Sequence, residues 1–211
     1  MSGVHVIAGI ASAGLVAASL VLTAPASARD VINGTGGDDH LGGTPFSDTI
    51  RGFGGDDLVY ALAGPDHIFG GSGHDQVHAG RGDDIIRGGP QLDYLGGGQG
   101  ANTIYGGAGR DSITGGPGSD VLFGGTMADF YDDGPGVDTI YGGLGNDSVF
   151  LRKDRTRDTV HCGPGHDVVW AATRVNTVAA DCEDVHVEQS PGVRGLPQLG
   201  SHLFARPPAA K

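Results

Sequence analysis

One apolar residue returns at every ninth position over a long stretch of this chain. The series runs Leu41, Ile50, Val59, Ile68, Val77, Ile86, Leu95, Ile104, Ile113, Leu122, Tyr131, Ile140 and Val149. A helix would repeat near every 3.6 residues and a half-buried strand every second one, so neither explains a period of nine. Each period has two parts. In the block Gly70–His78, GGSGHDQVH, three glycines fall in the first six residues and supply the backbone freedom that tight turns need. The last three, Gln76-Val77-His78, read as a short strand whose middle residue faces one way and whose flanks face the other. The pattern predicts a six-residue turn and a three-residue strand in alternation, with two blocks closing a coil of eighteen residues. Strands one coil apart then stack in parallel at about 4.8 Å, and the aliphatic residues of two sheets meet inside. The fold class is all-β: a parallel β-roll, or solenoid, of nine-residue repeats, two per coil.

Thirteen blocks run without a gap over residues 34–150, with Gly at position one in ten of them and at position four in ten. Beyond Phe150 the register slips. LRKDRTRDTV brings Asp158 and Val160 two residues late, and CGPGHDVVW puts Asp167 and Val169 in step. AATRVNTVA is a decayed block with Asn176 and Val178, and DCEDVHVEQ alternates like a final strand with Val185 and Val187 on one side. Residues 34–150 are therefore the roll and 151–187 a run of degenerate repeats with a cap. Residues 188–211, rich in Pro and Gly, read as a flexible tail. Residues 1–28 end in Ala26-Ser27-Ala28 after an apolar run, the pattern of a cleaved signal peptide and so of a secreted chain. The n-region lacks Lys and Arg, and an uncleaved anchor is the alternative. No other segment reads as a membrane span.

Glycine makes up 41 of 211 residues, well above a usual share of about 7%. Net charge is −12, and Lys153 and Lys211 are the only lysines, which argues against a nucleic-acid partner. Two cysteines, Cys162 and Cys182, in an exported chain favour a disulfide, with free thiols as the alternative.

Position six carries the candidate chemistry. One edge of the roll would hold Asp39, Asp57, Asp75, Asp93, Asp111, Asp129 and Asp147. The other would hold Asp48, Asp66, Asp84, Asn102, Asp120 and Asp138, and Asp167 continues the first edge beyond the slip. Carboxylates stacked one coil apart repel unless cations sit between them. Asp oxygens and turn carbonyls are hard ligands and suit calcium better than a transition metal, with magnesium a weaker candidate.

Blocks such as GGSGHDQVH, GGAGRDSIT, GGPGSDVLF and GGLGNDSVF resemble G-G-x-G-x-D-x-U-x, the nonapeptide of RTX (hemolysin-type) calcium-binding proteins. The resemblance covers residues 34–170 and implies a calcium-loaded parallel β-roll, ligated by the position-six Asp and turn carbonyls. Phe46, Gln91 and Met127 replace the position-four Gly beside Asp48, Asp93 and Asp129. A Cys162–Cys182 bridge would pin the decayed end. Stacked positions predict roughly six to ten ions in the 10⁻⁴–10⁻³ M class of extracellular modules. One aliphatic residue per block contributes about 1.5–3 kcal/mol, while ordering each residue costs about 1–2 kcal/mol. Calcium is therefore expected to fold the chain.

No GK[ST], H-E-x-x-H or G-x-S-x-G occurs, and no enzymatic role is read. His74 and His78 read as solvated, and Arg152, Lys153, Arg155 and Arg157 as a solvated loop or a docking patch for an anionic polymer. Phe69, Tyr105, Phe123 and Tyr141 share one outer face with Arg51 and Arg87. That face is either a stabilising ladder or a surface for a glycan or protein partner. The expected function is structural, adhesive or surface-associated. The alternatives are a polysaccharide- or ice-binding surface, or an accessory module of an exported enzyme.

Overall fold

The computed structural model describes residues 29–152, 154, 156–171 and 176–187. The expected signal peptide and tail lie outside them, as do Lys153 and Arg155 of the basic cluster. Among the described residues the regular elements are all strands, and no helix is long and apolar enough to cross a membrane.

Eighteen strands alternate between two nine-stranded parallel sheets. The first sheet stacks β1 (Val31–Asn33), β3 (Thr49–Gly54), β5 (His67–Ser72), β7 (Ile85–Pro90), β9 (Thr103–Ala108), β11 (Val121–Thr126), β13 (Thr139–Leu144), β15 (Thr159–His161) and β17 (Thr177–Val178). The second stacks β2 (His40–Gly42), β4 (Leu58–Tyr60), β6 (Gln76–Arg81), β8 (Tyr94–Gln99), β10 (Ser112–Thr114), β12 (Phe130–Asp132), β14 (Ser148–Leu151), β16 (Val168–Ala171) and β18 (Asp184–Val187). This is the predicted β-roll. Its stack begins at Val31, before the first counted block, and reaches Val187 through the slipped repeats.

Register follows the period. Ile50 pairs with Ile68, Ile68 with Ile86 and Ile86 with Ile104, each one coil apart. The slip changes only the spacing: Thr139 pairs with Thr159 and Ser148 with Val168. Position eight fills the core, from Ile32 to Val169, and Tyr131 fits the column fully buried, its hydroxyl donating to the Gly142 carbonyl at 3.1 Å. Val185 holds the same register opposite Val169 but is exposed, in the last strand of the described residues.

Many strands are six residues long, twice the expected length. In β11 and β13, Gly125 and Thr126 pair with Gly143 and Leu144 beyond the apolar triplet. The backbone of positions one to three stays extended enough to join the ladder, and glycine has no side chain to announce it. The disulfide joins Cys162 to Cys182 as expected. Cys162 stands at position one, which faces inward, and it is buried at the decayed end.

Candidate metal sites

Each corner is built around the position-six residue. Its carbonyl accepts the N–H that opens the next coil's strand, as Asp75 does from Tyr94. Its own N–H is donated to the side chain one coil on: Asp57 to Asp75 Oδ1 at 2.9 Å, Asp75 to Asp93 Oδ1 at 2.8 Å, Asp111 to Asp129 Oδ1 at 2.8 Å. The same bond continues on the other edge from Asp48 to Asp66 and from Asp120 to Asp138. A side-chain ladder thus takes over where the chain turns.

That bond occupies Oδ1 alone. The Oδ2 atoms of Asp57, Asp66, Asp75, Asp84, Asp93, Asp111, Asp120, Asp129, Asp138, Asp147, Asp158 and Asp167 are buried without a hydrogen-bond partner. Leaving a charged oxygen in that state is costly. Among the described residues the one ion pair is Arg152–Asp132, on the surface. Burial therefore raises the carboxyls above their ordinary 3.8: Asp129 and Asp138 to about 8, Asp66 and Asp93 to about 7, Asp57, Asp84, Asp111, Asp120 and Asp147 to about 6. The donated N–H opposes that rise, and stacked neighbours such as Asp111 and Asp147 around Asp129 add to it.

Position-one glycine leaves room beside these oxygens. A Cβ at Gly70 would lie 2.3 Å from Asp75 Oδ2 and 2.8 Å from the Gly88 carbonyl oxygen. At Gly106 the same point lies 2.5 Å from Asp111 Oδ2 and 2.7 Å from the Gly124 carbonyl. The space that a side chain would fill is thus lined by a carboxylate and a carbonyl, the hard oxygen set that suits calcium.

The family model of the RTX calcium-binding nonapeptide repeat matches residues 27–50, 33–68, 60–95, 96–130 and 123–156. The chain belongs to this repeat family. Membership implies calcium binding, which the orphaned oxygens fit. No curated protein matches the chain.

Within this RTX roll the expected site residues divide into three groups. Eleven of the expected Asp, Asp57 through Asp147 and Asp167, present a free Oδ2, as does Asp158, which the slipped register adds. Asp39 and Asp48 do not. Thr35 donates its N–H and hydroxyl to Asp39 Oδ2, and Thr44 does the same to Asp48 Oδ2. Asn102 keeps the ladder, accepting from Asp84 at 3.1 Å, but its Nδ2 donates to the Gly100 carbonyl at 3.3 Å. At the far end Glu183 accepts from Asp167 in place of an Asp. Thr35, Thr44 and Glu183 were not singled out from the sequence; a Thr four residues before the first Asp of each edge is the visible signal of the first two.

The position-four departures matter less than the motif implies. Gln91 and Met127 adopt φ of 79° and 78°, the left-handed conformation that glycine takes elsewhere, and Asp93 and Asp129 keep their places in the ladder. Such backbone costs roughly 1–3 kcal/mol and persists where surrounding structure enforces it. His74 accepts no role at a corner: it is exposed, with Nδ1 3.0 Å from the Leu92 carbonyl. His78 stacks on Tyr60.

The aromatic face is a continuous stack. Arg51 and Arg87 lie over Phe69, Arg87 also over Tyr105, and Tyr105, Phe123, Tyr141 and His161 follow with ring centroids 4.8–5.1 Å apart. Ring faces pack on ring faces, a cross-strand stack that stabilises the sheet.

Proposed function

We propose that this chain is a secreted, non-enzymatic protein whose roll is closed by several calcium ions, with a structural or surface role. The carrying observation is the row of buried Oδ2 atoms without partners. Each is a charge that the folded chain can keep only with a cation beside it. Six intervals separate the seven free Asp from Asp57 to Asp167 on the first edge. On the second edge Asp66–Asp84, Asp120–Asp138 and Asp138–Asp158 give three more, nine in all. Asp oxygens and turn carbonyls would hold the ions, and the Asp39, Asp48 and Asn102 corners would close through their own hydrogen bonds.

Calcium supplies positive charge between carboxylates that otherwise repel, so binding and folding are one event. The expected circular dichroism spectrum is that of an unfolded chain in EGTA and of β-structure after calcium excess. Calorimetry in parallel should count about nine ions. A spectrum that calcium leaves unchanged would contradict the reading.

A further inference from the structure

Asp133 is a buried acid that the repeat does not call for. It stands at position one of its block, where ten of the thirteen blocks carry Gly, and it is buried. One carboxylate oxygen from each of Asp133, Asp138 and Asp158 lies within 4.8 Å of the others. All three residues are almost wholly buried. Independently of that clustering, Asp138 Oδ2 and Asp158 Oδ2 have no hydrogen-bond partner. Among the described residues the nearby cation does not enter: the Arg152 guanidinium turns outward to Asp132, and its backbone N–H reaches Asp133 Oδ1 at 2.9 Å and Oδ2 at 3.3 Å.

We propose that Asp133, Asp138 and Asp158 form a three-carboxylate calcium site of higher charge than any other corner of the array. The inference rests on the reading that the stacked Asp hold calcium. Every other interval sets two carboxylates around an ion; here the position-one side chain adds a third. Ligand charge is one of the quantities that tune calcium affinity, so this site binds most tightly. It lies where Asp138 and Asp158 are twenty residues apart rather than eighteen, so the ion also ties the slipped coil to the regular one.

Accepting the Arg152 N–H does not need a charge, and an amide oxygen would serve. Asp133→Asn therefore separates the two roles. The test uses the full chain, folded in saturating calcium, titrated with terbium as a trivalent probe. Luminescence under direct excitation and released calcium, measured by atomic absorption, follow the exchange. In the wild type the first equivalent of terbium should displace calcium at least about tenfold more tightly than later ones. Asp133→Asn should lose that first step while the later ones stay. If Asp133→Asn does not fold in saturating calcium, Asp133→Gly, which restores the residue of most blocks, should show the same loss. A wild type without a distinct first step, or a variant that keeps it, overturns the proposal and leaves the wider calcium reading intact. A wild type that binds no calcium at all overturns both.

Discussion

The two edges of the roll share one ladder and differ in their corners. On the first edge, position one is glycine from Gly34 to Gly142, and free carboxylate oxygens run unbroken from Asp57 to Asp167. On the second edge the same position reads Gly43, Ala61, Ala79, Gly97, Gly115, Asp133 and Leu151, and Asn102 interrupts the acids. Yet the Oδ1 bonds continue through all of these, including Asp84 to Asn102 and Asn102 to Asp120. The comparison separates two tasks that one residue performs. Oδ1 extends the backbone ladder around the turn, and an amide does this as well as an acid. Oδ2 and the space beside it are left to hold charge, and an amide cannot do that.

Protonation should produce the largest effect. Burial raises Asp129 and Asp138 to about 8 in the folded, calcium-free chain, against an ordinary 3.8. The folded form then holds more protons than the unfolded one, so these groups stabilise it fully below pH 3.8 and not at all above pH 8. Calcium-free protein should be unfolded at pH 8 and gain β-structure on acidification. The calcium midpoint should stay nearly flat between pH 6 and 8, since unfolded carboxyls are already ionised there. Corners should also differ within each edge. Burial raises Asp120 only to about 6, so the corners around Asp129 and Asp138 take up their protons first. Circular dichroism from pH 4 to 8 in calcium-free buffer measures this. An acid-insensitive apo spectrum would show that the buried carboxyls do not control folding.

Corner space should have the next largest effect. The Cβ of Gly106→Ala would sit 2.5 Å from Asp111 Oδ2 and 2.7 Å from a backbone carbonyl, so the corner must open. A cost of about 1–3 kcal/mol is expected in thermal melts at saturating calcium. On the other edge Ala79 already carries a methyl, and Ala79→Gly should cost about 1 kcal/mol or less, through added backbone freedom. Equal losses would mean that the glycines serve turn conformation alone and not ion space.

The period made most of this legible. A fixed nine-residue spacing determines the register of every strand, so the inward column and both Asp rows could be read before any contact was known. What escaped the sequence had no periodic signal. Extended glycines joined the strands unseen, because strand patterns are written in side chains. Thr35, Thr44 and Glu183 act once each, in the first and last coils of the described residues. Asp133 breaks the glycine column once, with no period to mark it, and the fold places it against Asp138 and Asp158. Gln91 and Met127 break the motif in sequence, yet their backbone takes the left-handed conformation that glycine takes in most other blocks.

The finest test of the comparison exchanges one amide for one acid on each edge. Asn102→Asp would replace the Nδ2 that now bonds the Gly100 carbonyl with a carboxylate oxygen and make the second edge continuous from Asp66 to Asp158. It opens the intervals to Asp84 and Asp120, so calorimetry should count about two more ions. Asp93→Asn does the reverse in the middle of the first edge, closing the intervals to Asp75 and Asp111, and should remove about two. Both variants should fold in saturating calcium, because an amide oxygen can still accept the N–H that reaches Oδ1. The stability changes are expected to be small beside the change in ion count. Should the count remain fixed in both while the fold persists, the ions would have to be held by the turn carbonyls alone, and the division of labour between Oδ1 and Oδ2 would fail.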